Sequence, residues 1–174
     1  MTKIFRFLLW SLLFSITAAN ADTISKFTLP SGVDVTIQEA AFQKTNFAVE
    51  GCSNETEKCR INGRIPFGVA SGLPKTYLKQ ITISFQGRSY DLDISDMYDA
   101  WGMRPLQYPG KVRYFGGSCS DVRNCELRGL FSDASGSFVA EWRIVDGLAT
   151  RTILTDSSDV VALFMKNIDP PKYD

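Results

Sequence analysis

The dipeptide Asp146-Gly147, set between two runs of alternating apolar and polar residues, constrains this chain more than any other feature. A two-residue hairpin turn that follows the twist of its strands needs positive φ at both central positions, and Asp-Gly adopts this readily. The flanking runs, Ser137 to Val145 and Leu148 to Thr155, therefore read as paired strands. Upstream, Cys125 to Ser132 alternates in the same way and is followed by the turn Asp133-Ala134-Ser135-Gly136. The whole of Asn124 to Thr155 is expected to be a three-stranded antiparallel meander.

The charges test the register. With Ser132 opposite Ser137, Arg128 falls opposite Glu141 and Glu126 opposite Arg143, giving two cross-strand ion pairs on one face. The other face collects Cys125, Leu127, Phe131, Phe138, Trp142 and Ile144, with Gly129 beside Ala140. A slip of one residue would turn the aromatic side chains to water and the charges inward. Counting across Asp146-Gly147 places Trp142 opposite Arg151 and Ala140 opposite Ile153. Arg151 is then the one charge aimed at the apolar face; stacking on Trp142 would accommodate it, and a functional arginine in a pocket is the alternative.

A second hairpin is expected over Tyr77 to Ile94, with Ile81, Ile83 and Phe85 on one side, a turn at Gln86-Gly87-Arg88, and Tyr90, Leu92 and Ile94 returning inward. Asp91 and Asp93 share its outer face. Ser95 is a candidate N-cap for a short helix from Asp96 to Trp101, ended by Gly102. A smaller hairpin pairs Phe27 to Leu29 with Val33 to Ile37 around Pro30-Ser31-Gly32, and Glu39 to Phe42 reads as a helical turn. Ile65 to Pro74, with Gly68, Gly72 and two prolines, reads as irregular. Lys111 to Phe115 reads as a further strand. Near the C-terminus, Ser157 or Ser158 caps a helix from Asp159 to Asn167 whose apolar stripe is Val160, Val161, Leu163, Phe164 and Ile168, ended by Pro170-Pro171. The fold expected is α+β, mostly β: antiparallel sheet, with the short helix and the C-terminal helix packed on it.

Met1 to Ala21 reads as a secretory signal peptide: Lys3 and Arg6, an apolar or small run from Phe7 to Thr17, and Ala19-Asn20-Ala21 as a cleavage site. Asp22, not Cys, follows, so no lipid anchor is expected, and the apolar run is shorter than the ~20 residues of a spanning helix. Residues 22–174 then form one domain, exported to the periplasm of a Gram-negative source or otherwise secreted. Without Lys3 and Arg6 it has 17 basic and 19 acidic side chains, a net charge of −2. That balance gives no electrostatic case for nucleic acid or an anionic membrane as partner. Cys52, Cys59, Cys119 and Cys125 are expected to pair locally, first with second and third with fourth, each across a short polar loop. A metal site on the four thiolates lacks the usual knuckle spacings. Asn54-Glu55-Thr56 fits the N-glycosylation pattern, relevant only in a eukaryotic secretory route.

The chain contains no histidine. That removes the Ser-His-Asp and Cys-His units, the His-Glu-x-x-His zinc motif and the usual general base near neutral pH. Paired carboxylates survive: Asp91 and Asp93, two apart on a strand, could meet the spacing a glycan hydrolase needs, but a solvated strand face and a helix N-terminus that favours Asp account for the run more simply. The run Asp91, Asp93, Asp96 and Asp99 lacks the glycine and terminal glutamate of an EF-hand loop, so no cofactor or metal is expected. The stretch Met97 to Pro109 carries Tyr, Trp, Met and Arg, types enriched at protein–protein hot spots, beside a loop pinned by two prolines. Asp99, Trp101, Arg104 and Tyr108 are its candidate partner-binding residues. The expected function is therefore a non-enzymatic inhibitor or immunity-type protein that blocks a toxin or cell-wall enzyme. The alternatives are a glycan hydrolase or carbohydrate-binding protein using the Asp pair with Trp101 and Tyr108 as platform, and an envelope assembly factor that offers an edge strand.

Overall fold

A computed structural model describes residues 22–52, 59–101, 112–132 and 136–169. Among the described residues, ten strands and one α-helix follow in order: β1 (Thr23–Thr28), β2 (Asp34–Ala41), β3 (Val49–Glu50), β4 (Arg60–Ile61), β5 (Thr76–Phe85), β6 (Arg88–Asp91), β7 (Phe115–Asp121), β8 (Asn124–Phe131), β9 (Phe138–Val145), β10 (Leu148–Thr155) and α1 (Ser158–Lys166). They make two four-stranded antiparallel sheets, ordered β1-β2-β5-β6 and β10-β9-β8-β7, with β3-β4 as a separate pair. Alternation puts Val35, Ile37, Ile81 and Ile83 on one inner face and Leu127, Phe131, Phe138, Trp142 and Ile144 on the other. These side chains join in one buried cluster, so the sheets pack as a sandwich.

The hairpin chemistry places the turns. Asp146 and Gly147 have φ of 53° and 85°, and Gln86 and Gly87 have 47° and 82°. Both are two-residue turns, pairing Val145 with Leu148 and Phe85 with Arg88. Asn62-Gly63 repeats the device after β4. The meander has the expected register, with Glu126 opposite Arg143, Arg128 opposite Glu141 and Phe131 opposite Phe138. Arg151 lies opposite Trp142, but beyond it the ladder shifts and Ala140 faces Leu154 instead of Ile153. The bulge centres on Thr152, whose hydroxyl donates to the Glu141 carboxylate at 2.8 Å. The inserted residue turns Ile153 to the outer face, where it packs with Leu130, Val139 and Phe164.

That outer face is covered by α1. Phe164 is the helix's buried residue, and Val160, Val161 and Ile168 pack beside it. Leu163 is not part of the stripe. It sits about 100° around the helix from Phe164 and is 56% exposed. The two ion pairs close into a ring between α1 and the hairpin tip. Arg128 lies 3.0 Å from Glu126 and 2.9 Å from Glu141, and Arg143 lies 3.8 Å and 3.2 Å from the same two carboxylates. The Arg128 guanidinium also lies over the Phe164 ring.

Three local expectations are corrected. Glu39 to Ala41 continues β2, because these residues pair with Thr76 to Leu78; the helical turn falls later, as a 3-10 turn at Lys44–Asn46. The strand expected at Lys111 to Phe115 begins only at Phe115, after a 3-10 turn at Val112–Tyr114, and runs on through Gly116 and Gly117. Gly116 is required there, since a Cβ would lie 2.2 Å from the Ile168 carbonyl oxygen. Asp96 to Trp101 is not helical. Asp96 and Asp99 sit at φ of 68° and 42°, and their neighbours' backbone groups bond to other segments.

Both disulfides are local, Cys52 with Cys59 and Cys119 with Cys125. The second joins residues directly opposite on β7 and β8. The glycosylation pattern at Asn54 lies outside the described residues. Removing either bridge by paired Cys→Ala change is expected to cost about 2.5 kcal/mol on the loop-entropy account, read as a lower urea midpoint. A loss below about 0.5 kcal/mol would mean that the hairpin confines the unfolded chain as well as the bridge does.

Candidate functional site

The segment from Asp91 to Trp101 leaves the end of β6 and runs between the two sheets' strands, and most of its hydrogen bonds are made to other segments. Phe67 N–H donates to the Asp96 carbonyl and Tyr98 N–H to the Phe67 carbonyl, both at 2.9 Å. Leu78 N–H reaches Met97 and Asp99 N–H reaches Thr76, each at 3.2 Å. Residues 96–99 thus run as a ribbon between Phe67 and the start of β5. Gly68 makes this approach possible: at φ 94° it lies where a Cβ would stand 1.9 Å from the Tyr98 carbonyl oxygen.

The candidate carboxylates serve this ribbon. Asp99 Oδ1 accepts the backbone N–H of Lys75 at 2.7 Å and of Thr76 at 2.8 Å. Buried Glu39 accepts the Thr76 hydroxyl and the Trp101 N–H. Asp93, not Ser95, caps the corner, taking the Ser95 N–H at 2.9 Å. Trp142 sends its indole N–H to the Asp93 carbonyl at 2.7 Å. Arg151 donates to the Ser95 carbonyl at 2.6 Å and pairs with the Asp93 carboxylate at 3.3 Å. The inward charge foreseen opposite Trp142 therefore acts as a clamp from sheet to ribbon. Asp91 accepts Thr82 at 2.6 Å and Gln80 at 2.8 Å.

Of the partner-binding candidates, Asp99 is an internal staple. Trp101 is half-buried, with its ring 5.4 Å from that of Tyr114. Arg104 and Tyr108 lie outside the described residues. Asp99→Ala is expected to cost about 2–3 kcal/mol by orphaning two N–H groups, while Asp99→Asn, which keeps an acceptor and tolerates this φ, should retain most of that. Urea unfolding of the two variants checks it; equal losses would contradict the staple.

Neither member of the Asp pair is poised as an acid. Bonds from Thr82 and Gln80 draw the Asp91 pKa down. Burial pushes Asp93 up, but the Ser95 bonds and the charges of Arg151 and Arg64 outweigh it, leaving it lowered. Carboxyls lowered on folding add stability above the unfolded value, near pH ~3.9, and lose it as pH falls through the lowered folded value. Asp93→Asn should therefore flatten the acid limb of a stability profile below about pH 4 and leave its slope from about pH 6 to 8 unchanged. A steeper acid limb would contradict the assignment.

Beside the ribbon opens a cleft of about 430 Å³, lined among others by Phe47, Asn62, Arg64, Tyr77, Asp96 and Tyr98. Arg64 pairs with Asp96 at 3.2 Å. Burial, and secondarily the charge of Asp96, raise the Tyr98 pKa to about 12. Of these residues only Asp96 and Tyr98 fall in stretches that the sequence singles out for function. The available signal was Asn62-Gly63, a turn dipeptide that aims Arg64 back over β4. A smaller, apolar groove of about 270 Å³ lies between α1 and sheet two, lined by Tyr114, Leu130, Phe164 and Met165 among others.

The fold and site define a disulfide-bridged two-sheet sandwich with a pinned ribbon after β6. Two disulfides are the mark of an oxidising, extracellular-type environment, and no helix among the described residues is long and apolar enough to cross a membrane. No protein-family model, curated protein or solved structure matches the chain.

Proposed function

We propose that this chain is an exported, non-catalytic protein-binding protein, periplasmic in a Gram-negative source, that blocks a toxin or cell-wall enzyme. One observation carries the reading. The ribbon from Asp93 to Trp101 is fixed by side chains from β2, β9 and β10 and by backbone bonds from β5 and Phe67. A surface set before binding loses less conformational entropy on association, which suits a blocking protein. The absence of histidine and the lowered pKa values of Asp91 and Asp93 support a role without turnover, since a glycan hydrolase needs one carboxyl held protonated. The contact surface in this reading is assigned to Trp101 and to Arg104 and Tyr108, which follow it in the chain.

The test is affinity capture of the chain from its own cells, with the N-terminus of the recovered protein sequenced. Processing should leave Asp22 first, and one envelope or injected enzyme should come along with nanomolar affinity. Arg104→Ala and Tyr108→Ala should each weaken it by about tenfold or more. Recovery of no partner, or turnover of peptidoglycan by the purified chain that Asp91→Asn abolishes, would sink the proposal.

A further inference from the structure

The cleft beside the ribbon has the dimensions and chemistry of a ligand site, separate from the contact surface around Trp101. Its volume of about 430 Å³ lies within the ~300–1,000 Å³ of small-molecule pockets. One wall is aromatic: Phe47 meets Tyr77 edge to face at 5.2 Å and Tyr98 at 6.3 Å. Phe42 stacks behind Phe47 at 4.6 Å and holds that ring from the rear. The lining also carries polar groups of both signs. Arg64 spends one N–H on Asp96, and its side chain is 65% exposed, so further donors of its fork are accessible from solvent. Asn62 commits its carbonyl oxygen to the Ala48 N–H at 3.0 Å, so what its amide can offer a ligand is its N–H groups. Asp96 uses Oδ2 for Arg64 and keeps Oδ1 as an acceptor.

Charge then selects the class of ligand. An anion drawn to Arg64 would meet the Asp96 carboxylate, with Asp93 within the reach of the same arginine's field. A cation drawn to Asp96 would meet Arg64. Tyr98, raised to about 12, stays a neutral hydroxyl across the physiological range. What fits is a neutral molecule with an apolar face for the rings and an edge of groups that both donate and accept hydrogen bonds. We propose that this cleft binds a saccharide unit, with Phe47 and Tyr77 against its C–H face and Asn62, Arg64 and Asp96 on its hydroxyls. The site goes beyond the partner-blocking reading and stands whether or not that reading holds.

The experiment is amide-shift mapping of isotope-labelled protein, residues 22–174, titrated with triacetylchitotriose and with maltotriose. Citrate and spermidine serve as charged controls. At least one oligosaccharide should move the signals of Asn62, Arg64, Tyr77 and Ser95 with a Kd of about 1 mM or tighter. Arg64→Ala, a change at an exposed side chain, should weaken that binding about fivefold or more with an unchanged melting temperature. Arg64→Lys should recover little of it, since one ammonium cannot reproduce the planar fork. No movement at these residues with either oligosaccharide, equal movement with citrate or spermidine, or sugar binding indifferent to Arg64→Ala would each overturn the proposal. Partner capture is scored separately, so failure of one claim leaves the other readable.

Discussion

Trp142→Ala is expected to lower stability by about 3–5 kcal/mol, the range for truncating a fully buried large aromatic. For a domain of this size that is a fall in Tm of roughly 10 °C. Trp142 has no exposed surface, meets the Phe131 ring edge to face at 6.1 Å, and ties the Asp93 carbonyl to sheet two. Trp142→Phe separates the two contributions. It keeps most of the packing and loses the indole donor, at an expected ~1–2 kcal/mol. The Asp93 carbonyl still has Arg151 within 3.4 Å, which tempers the loss. Hydrogen exchange at Ser95 to Met97 should quicken in the Phe variant beyond what the global change explains. If Trp142→Ala cost less than about 1 kcal/mol, the packing of the two inner faces described above would be wrong.

The ring of four charges gives the second large effect. Glu141 is almost fully buried and takes Arg128, Arg143 and the Thr152 hydroxyl. Glu141→Ala leaves Arg128, itself little exposed beneath α1, short of a partner, at an expected ~3–5 kcal/mol. Exchanging both for apolar residues, Arg128→Met with Glu141→Leu, should cost much less than Glu141→Ala alone, since desolvating a charge is what makes a broken buried pair expensive. Urea denaturation of the single and double variants decides it. A double variant no better than the single would show that Glu126 and Arg143 depend on the whole ring.

Where the backbone answers to its own neighbours, the sequence was readable. Alternation fixed the faces of β8 and β9, X-Gly pairs marked the turns at 86–87 and 146–147, and opposed charges set the register of Glu126 and Arg128. Local disulfide pairing followed from cysteines flanking short loops. The misreadings fall where distant groups decide. Thr152 bulges because its hydroxyl has Glu141 to bond, and Glu39 to Ala41 stays extended because β5 lies alongside. Asp96 to Trp101 has helical spacing and a plausible cap, yet its N–H and C=O groups are claimed by Phe67, Thr76 and Leu78.

The same reason governs the site. The acidic run at 91–99 was visible, but a carboxylate's role depends on which donors face it, and Lys75, Thr76, Thr82 and Arg151 arrive from other parts of the chain. The cleft was illegible for a related cause. Phe47, Asn62 and Arg64 are brought to Tyr77 and Asp96 by the β3-β4 pair and its turn, and no spacing along the chain announces that convergence.

Each bridge joins cysteines that are successive in the chain. A thiol oxidase that links sulfurs in chain order would therefore make only the native pairs. Reoxidation of the reduced, unfolded protein by glutathione alone should also favour the native pairs, because the loops of separation 7 and 6 close at less entropic cost than any crossed pairing.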